Sequence, residues 1–195
     1  MKKQQDELTL IESFLYGDME AFQLLTENYK DDIFNTLFYL LGTRVAKDRI
    51  ELLAQEVFLE VYNNLKNLEN KRAFTIWLYQ LALKMANFEL ARIRSKNVQN
   101  NDEDYTNPEE EIEYLFTHKQ EELEKESAKK YKTKEFRDLV LQAIDILPDE
   151  FRTVVVLRDI EQLTYEDISS ILDMSPEVIK NRVFLAKIKL QKMLI

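Results

Sequence analysis

The sequence predicts an all-α protein of two small helical domains joined by a flexible acidic linker, the C-terminal domain being a helix-turn-helix. Only two glycines and three prolines occur in 195 residues, so few positions interrupt helices. Apolar residues recur at helical spacing in both halves of the chain. The composition between the halves changes abruptly to an acidic run. We therefore expect domains at residues 1–96 and 135–195, with the linker at 97–134.

The N-terminal domain is expected to hold four amphipathic helices. The first ends near Gly17 and the second near Gly42, because glycine is common just past a helix C-terminus. In the third helix, Leu53, Val57 and Val61 recur at i, i+4 and i+8 and form the expected core face. The fourth helix carries a long apolar stripe that includes Phe74 and Trp77. These stripes supply enough apolar surface for a compact bundle.

The linker is strongly acidic. From Asn97 to Glu126 the chain has eleven acidic and two basic residues, an excess that matches the −9 net charge of the whole sequence. Such charge density opposes compaction, so the composition by itself indicates a solvated tether.

Several functional classes are excluded by composition. The chain has no cysteine, which excludes disulfides and zinc–thiolate sites, and its single histidine, His118, has no second histidine with which to hold a metal. Neither a catalytic constellation nor a glycine-rich phosphate loop occurs, so we expect no enzyme, no cofactor and no metal site. The apolar runs are too short for a membrane span and no secretory signal is present. A cytoplasmic protein without membrane insertion is expected.

The most informative stretch, Leu163 to Leu190, predicts two short helices separated by a tight turn. Thr164 is a predicted N-cap with Asp167 three residues on, which is the spacing of a capping box. Asp173 lies where the turn needs a left-handed residue, a conformation that aspartate tolerates better than most. Ser175 and Pro176 then restart the helix as N-cap and first helical residue.

The second of these helices is amphipathic and basic. Ile179, Val183, Ala186 and Leu190 form one apolar stripe. From Ser175 to the C-terminus, five basic residues face a single acidic residue, Glu177. The pattern alone fits either a helix-turn-helix whose second helix enters a major groove or an amphipathic helical pair with a solvated basic face.

Sequence motifs in three segments resemble those of a known protein family. The segment from Leu147 to Leu190 carries Leu147-Pro148, Leu157-Arg158-Asp159, Leu163-Thr164-Tyr165 and Ser175-Pro176. With these motifs it resembles the C-terminal DNA-binding domain of bacterial RNA polymerase sigma factors, and is most similar to the extracytoplasmic-function (ECF) group. The segment Glu51–Leu59 resembles the ECF helix that docks on the polymerase clamp. Ala73–Ala82 resembles the helix behind the promoter-melting loop.

This resemblance implies three sets of site residues. Those expected to contact DNA are Ser175, Pro176, Glu177, Lys180, Asn181, Arg182, Phe184 and Lys187. Those expected to open the promoter are Lys71, Arg72, Trp77, Lys84 and Arg92. Those expected to bind polymerase are Leu52, Gln55, Glu56, Phe58 and Leu59. Core packing is an alternative explanation for the aromatic members of the N-terminal sets.

The chain departs from the family pattern in four places. Leu52 stands at a usually acidic position of the docking helix, and Phe88-Glu89 stands where an Asp-Arg pair is common. Leu185 occupies a frequent arginine position, and Glu177 replaces the usual glycine. These changes leave the fold assignment intact but bear on promoter affinity and docking.

The resemblance implies a sigma factor that brings core RNA polymerase to promoter DNA and is monomeric when free. An anti-sigma factor is a further partner that the family allows. In this family the linker runs through polymerase channels, where an acidic segment would imitate nucleic acid. Two alternatives remain: a free-standing dimeric helix-turn-helix regulator, and a sigma-like interaction protein that does not initiate transcription.

Overall fold

The computed structural model describes the backbone of residues 2–100 and 133–194, and every regular element in these two ranges is helical. The predicted all-α fold is confirmed. Most of the predicted acidic linker, including His118, lies outside the described residues.

Four helices build the N-terminal half: α1 (Lys2–Leu15), α2 (Met19–Leu41), α3 (Lys47–Asn64) and α4 (Phe74–Asn100). The Asp18 carboxylate caps α2 by accepting from the backbone N–H groups of Glu20 at 2.9 Å and Ala21 at 3.3 Å. At the other end, α2 stops at Gly42, whose φ of 55° is a conformation that favours glycine. Both helix ends that the sequence assigned to glycine are thus close to their predicted places.

A buried polar cluster joins three of these helices. Glu7 of α1 is buried, and its carboxylate accepts hydrogen bonds from the Tyr29 hydroxyl of α2 and, at 3.1 Å, from the Thr75 hydroxyl of α4. Burial, followed by the bond to Glu7, raises the pKa of Tyr29 far above its ordinary value, so the phenol stays protonated. The cluster therefore fixes α1 against the α2–α4 pair.

Between residues 133 and 194 the structure describes four further helices: α5 (Thr133–Ile146), α6 (Asp149–Val155), α7 (Tyr165–Leu172) and α8 (Pro176–Leu194). A π-helical turn, Val156–Ile160, extends α6. The predicted domain boundaries stay a prediction. Helix α4 continues to Asn100, four residues past the expected end of the first domain, and α5 begins at Thr133.

The two halves pack against each other along one surface, which we call the seam. Buried residues of α6, the π-helical turn, α7 and α8 share a hydrophobic cluster with residues of α1 to α4. Tyr79 of α4 donates its hydroxyl to the Glu161 carboxylate at 2.9 Å, and the Gln80 amide donates to the Ser170 carbonyl at 3.1 Å. Helix α7 therefore lies against α4.

Arginine and aspartate side chains complete the seam. Arg152 is 3% exposed and donates to the carbonyls of Leu40 at 3.1 Å, Ile144 at 3.0 Å and Leu147 at 2.9 Å. It thus caps the C-terminal end of α2 and of α5 together. Close approach also depends on Gly42, because a Cβ atom there would lie 1.7 Å from the Asp145 carboxylate.

Candidate nucleic-acid interface

The turn between α7 and α8 has the geometry that the sequence predicts. The Thr164 hydroxyl accepts from the Asp167 backbone N–H at 3.1 Å, and the Asp167 carboxylate accepts from the Thr164 backbone N–H at 3.4 Å. This is the expected capping box. Asp173 follows α7 in the left-handed region, with φ 53° and ψ 48°. The predicted helix-turn-helix is confirmed.

Helix α8 begins at Pro176, and the Ser175 hydroxyl accepts from the Val178 backbone N–H at 3.4 Å. Its core face is the predicted one: Ile179, Val183 and Ala186 are buried, and Leu190 is half-buried. The opposite face leaves a set of side chains exposed, comprising Glu177, Lys180, Asn181 and Phe184. Helix α8 therefore presents a mixed basic and aromatic face to solvent.

Two of the expected DNA-contacting residues already have acidic partners within the C-terminal half. Arg182 lies 3.2 Å from the Glu150 carboxylate, and Lys187 lies 2.8 Å from that of Asp159. Lys180 instead lies over the Tyr165 ring, 5.6 Å from its centroid, and its side chain is exposed. Lys180 is thus the expected DNA-contacting cation of α8 for which no salt bridge is seen among the described residues.

The N-terminus of α8 favours an anionic residue at Glu177. Backbone donation at the helix start is the main cause that holds its pKa below the ordinary value, with Ser175 and Lys180 adding to it. Glu177 stands where the resembled family usually has glycine, so this chain places a fixed negative charge beside its outward lysine.

Helix α3 separates its two faces as expected. Leu53, Val57 and Val61 are buried. Leu52 and Leu59 are 50% and 60% exposed and, with exposed Gln55, point away from the core. The other two expected polymerase contacts have partners inside the chain.

Glu56 and Phe58 are held by different kinds of contact. The Glu56 carboxylate accepts from Arg49 Nη1 at 2.7 Å. Phe58 is half-buried and packs against the main hydrophobic cluster. Leu52, Gln55 and Leu59 are therefore the more available members of the set.

The expected promoter-opening residues occupy different environments. The Lys71 ammonium donates to the carbonyls of Leu65, at 3.0 Å, and Leu68, which ties down the turn after α3. Trp77 is half-buried, with its ring 6.2 Å from that of Phe74. Lys84 is exposed on α4.

The remaining two residues of the promoter-opening set are Arg92 and Arg72. Arg92 is exposed but bound to Glu89. The side chain of Arg72 lies outside the described residues.

Sequence reasoning missed several charged residues that the fold brings together. Arg49 and Glu89 join α3 to α4. Asp149 and Arg152 of α6 each bind the N-terminal half, Asp149 through two arginines and Arg152 through a backbone carbonyl. The i, i+3 spacing of Glu89 and Arg92 is a signal that sequence offers for one of these pairs. It does not reveal that Glu89 is fully buried, because burial depends on how α3 packs on α4.

Among the described residues, no cluster of acidic or histidine side chains has the grouping a metal ion needs. Within the same residues, no helix combines the length and apolar character required to cross a bilayer.

An all-helical chain with a basic second helix after a left-handed turn defines a helix-turn-helix protein. Residues 137–190 match the family described as Sigma-70, region 4. The whole chain is 30% identical over 196 residues to the RNA polymerase sigma-H factor of Pseudomonas aeruginosa, and the match covers 100% of this chain and 96% of that one. The chain belongs to the RNA polymerase sigma factors, in the extracytoplasmic-function group.

Other relatives agree with this assignment. The ECF RNA polymerase sigma-E factor of Haemophilus influenzae is 29% identical over 188 residues, covering 96% of this chain and 94% of that one. Two solved structures share the fold with a TM-score of 0.65. CnrH in complex with the cytosolic domain of CnrY is 15% identical and covers 97% of both chains. RpoE in complex with the anti-sigma factor NepR, from Bartonella quintana, is 18% identical and covers 90% of this chain and 98% of that one.

Proposed function

We propose that this sigma factor binds core RNA polymerase through the outer face of α3 and reads promoter DNA through the outer face of α8. The observation that carries the proposal is that each helix keeps an exposed face opposite the stripe that packs into the core. Leu52 and Leu59 remain exposed on α3, and Lys180 and Asn181 on α8. We propose no catalytic activity for the chain itself.

The polymerase contact is centred on Leu59. It is 60% exposed, and a solvent-facing leucine next to Gln55 and Glu56 provides apolar area with polar groups at its edge. A few central residues commonly dominate an interface, with losses of about 2 kcal/mol or more on truncation, and we propose Leu59 as one of them. The pair between Glu56 and Arg49 makes Glu56 a weaker choice for mutation, because its substitution also changes an internal contact.

In the proposed contact with duplex DNA, the residues of α8 have different roles. Lys180 and Asn181 are placed to reach phosphate or base edges, and exposed Phe184 to make apolar contact. Arg182 is held by Glu150 and would have to exchange that partner for DNA. On α4, Lys84 and Arg92 are the described cations proposed to act on the opening promoter, whereas Lys71 serves its own turn.

The decisive experiment is run-off transcription with core polymerase and genomic promoter fragments. Lys180→Ala should lower promoter-directed initiation about 5- to 150-fold, which corresponds to a contact worth about 1–3 kcal/mol. Lys192→Ala is the matched control, since it removes an exposed charge from the last turn of the same helix. Leu59→Arg should prevent binding to core polymerase while circular dichroism shows an unchanged helical content.

The dimeric-regulator alternative predicts the reverse behaviour. It requires tight, salt-sensitive binding of the isolated chain to a two-fold site and no dependence on polymerase. A footprint on such a site, together with wild-type behaviour of Leu59→Arg, would rule out the proposed function. The similar structure of RpoE with the anti-sigma factor NepR also supports an anti-sigma factor as a further partner class. The acidic segment that would imitate nucleic acid stays a prediction, because it lies outside the described residues.

A further inference from the structure

Four side chains of alternating charge link α3 to α4. Arg49 donates from Nη1 to Glu56 at 2.7 Å and from Nη2 to Glu89 Oε2 at 3.1 Å. Arg92 donates from Nε to the same Glu89 oxygen at 3.1 Å and from Nη2 to the other oxygen. Both oxygens of Glu89 are therefore bound, and Arg92 holds this carboxylate with two donors, which is a strong geometry.

Glu89, which lies between the two arginines, is the most buried of the four side chains. The Glu89 side chain is 1% exposed, whereas those of Arg49 and Arg92 are 32% and 41% exposed. A buried carboxylate persists only when it is paired. Donation from Arg92 is the main cause that holds the pKa of Glu89 below its ordinary value, against burial, and Arg49 adds to it. Glu89 is therefore an anion at neutral pH.

The two ends of the chain of charges lie in the two proposed N-terminal contact surfaces. Glu56 belongs to the polymerase-binding set on α3, and Arg92 to the promoter-opening set on α4. Arg49 belongs to neither, yet its guanidinium touches Glu56 directly and meets Arg92 through Glu89.

The charge of Arg49 affects how strongly Arg92 can attract DNA. The four groups sum to zero charge, with Glu56 paired to Arg49 at one end of the chain of charges. Around the Glu89 carboxylate itself two cations face one anion, so the Arg92 end keeps its attraction for a phosphate. If Arg49 were neutral, the Glu89 anion would face Arg92 alone and cancel its charge. A cationic group of a partner that pairs with Glu56 would have the opposite effect, because it would leave Arg49 entirely to Glu89.

We propose that Arg49 is a positioning residue for promoter DNA, which acts through Glu89 to keep Arg92 oriented and positively charged toward the phosphate backbone. This inference rests on the proposed promoter role of Arg92. It assigns no direct DNA contact to Arg49. Its effect must therefore disappear when Arg92 is absent.

The test uses the full-length chain with core polymerase, on a promoter fragment selected by the run-off assay. Promoter affinity at saturating polymerase is measured over a range of salt concentrations for Arg49→Gln, Arg92→Gln and the double variant. Each phosphate contact contributes about one to the slope of log affinity against log salt. We expect each single variant to make the slope shallower by about one, and the double variant to match Arg92→Gln alone.

Lys47→Gln is the matched control, because Lys47 lies on the same helix, is exposed and pairs only loosely with Glu51 at 3.7 Å. It should leave the slope unchanged. Arg49→Met, which also removes the charge but keeps an apolar stem, provides a second variant should Arg49→Gln fold poorly by circular dichroism.

The outcomes separate this inference from the proposed function. If Arg92→Gln changes nothing, the promoter role of α4 fails, and the role of Arg49 fails with it. If Arg92→Gln reduces the slope but the neutral Arg49 variants do not, only the role of Arg49 is wrong. Additive losses in the double variant, or an equal loss in Lys47→Gln, would also overturn it, since they indicate a general charge effect.

Discussion

Glu89 illustrates how a single buried carboxylate ties stability to pH. Arg92 and Arg49 hold its pKa below the ordinary value of 4.5 in the folded chain. Near that pH the unfolded chain binds more protons than the folded one, so the stabilisation is present above the ordinary pKa and is lost as pH falls through the lowered one.

We therefore expect Glu89→Gln to remove part of the acid sensitivity. The free energy of unfolding of the wild type should exceed that of the variant near neutral pH, and the difference should shrink as pH falls below about 4.5. Urea unfolding followed by circular dichroism between neutral pH and about pH 3 measures this difference. Parallel curves over the whole range would show that Glu89 is not the titrating group.

Asp173 supports a second prediction at the residue scale. Its left-handed backbone costs an L-residue about 1–2 kcal/mol, less for aspartate and most for a β-branched residue. Asp173→Val should lower the free energy of unfolding by about 1–2 kcal/mol, while Asp173→Gly should stay within about 1 kcal/mol of the wild type. Thermal unfolding of the three proteins compares them, and equal losses for Val and Gly would point to the carboxylate instead of the backbone.

At the scale of helices, capping residues decide where α7 starts. Thr164 and Asp167 satisfy each other's backbone N–H groups, and this reciprocal pair is local in sequence. Thr164→Ala should therefore destabilise the helix-turn-helix by about 1 kcal/mol, whereas Thr164→Ser should retain most of the stability. Urea unfolding gives both values. If Ser is as damaging as Ala, the threonine methyl group and not its hydroxyl is what matters.

Local signals also explain which helices could be predicted. Gly42, Asp173 and Pro176 each act within a few residues, and each marks a helix end that the structure confirms. The π-helical turn Val156–Ile160 has no such marker, because Val154 to Leu157 is one apolar run that fits any buried helix. Helix α4 extends to Asn100, into the stretch whose composition predicts a linker, because composition reports flexibility only over many residues and not the last turn of a helix.

At the scale of the whole molecule, the seam could not be predicted because its contacts join residues far apart in the chain. Thr43 and Asp145 are 102 positions apart, and Arg152 and Leu40 are 112 apart. Neither the charge pattern nor the apolar spacing around these residues indicates their partner. The candidate site divides in the same way: the outer face of α8 follows from its own periodicity, while the pairing of Arg49 with Glu89 depends on α3 packing on α4.

Asp149 is the charged centre of the seam. Its carboxylate lies 3.1 Å from Arg44 Nη1, 2.7 Å from Arg94 Nη2 and 3.4 Å from Arg152 Nη1. Arg44 and Arg94 belong to the N-terminal half, so this one anion holds cations from both halves together. Individual exposed pairs contribute little, but a network of several charges contributes more.

Asp149→Asn should therefore loosen the contact between the halves, because three arginines would then repel one another without a central anion. The chain has no cysteine, so Asn28→Cys in α2 and Gln191→Cys in α8, both at exposed positions, allow specific labelling with a fluorophore pair. The distance distribution between the labels should broaden toward longer values in Asp149→Asn. Raising the salt concentration to about 1 M should also move the distance distribution of the labelled wild type toward longer values, since screening weakens exposed charge pairs. Glu150→Gln is the matched control: it alters the same first turn of α6, but its partner is Arg182 within the C-terminal half, so the distance should not change. Identical distributions for Asp149→Asn and the wild type at every salt concentration would show that the apolar cluster alone holds the seam.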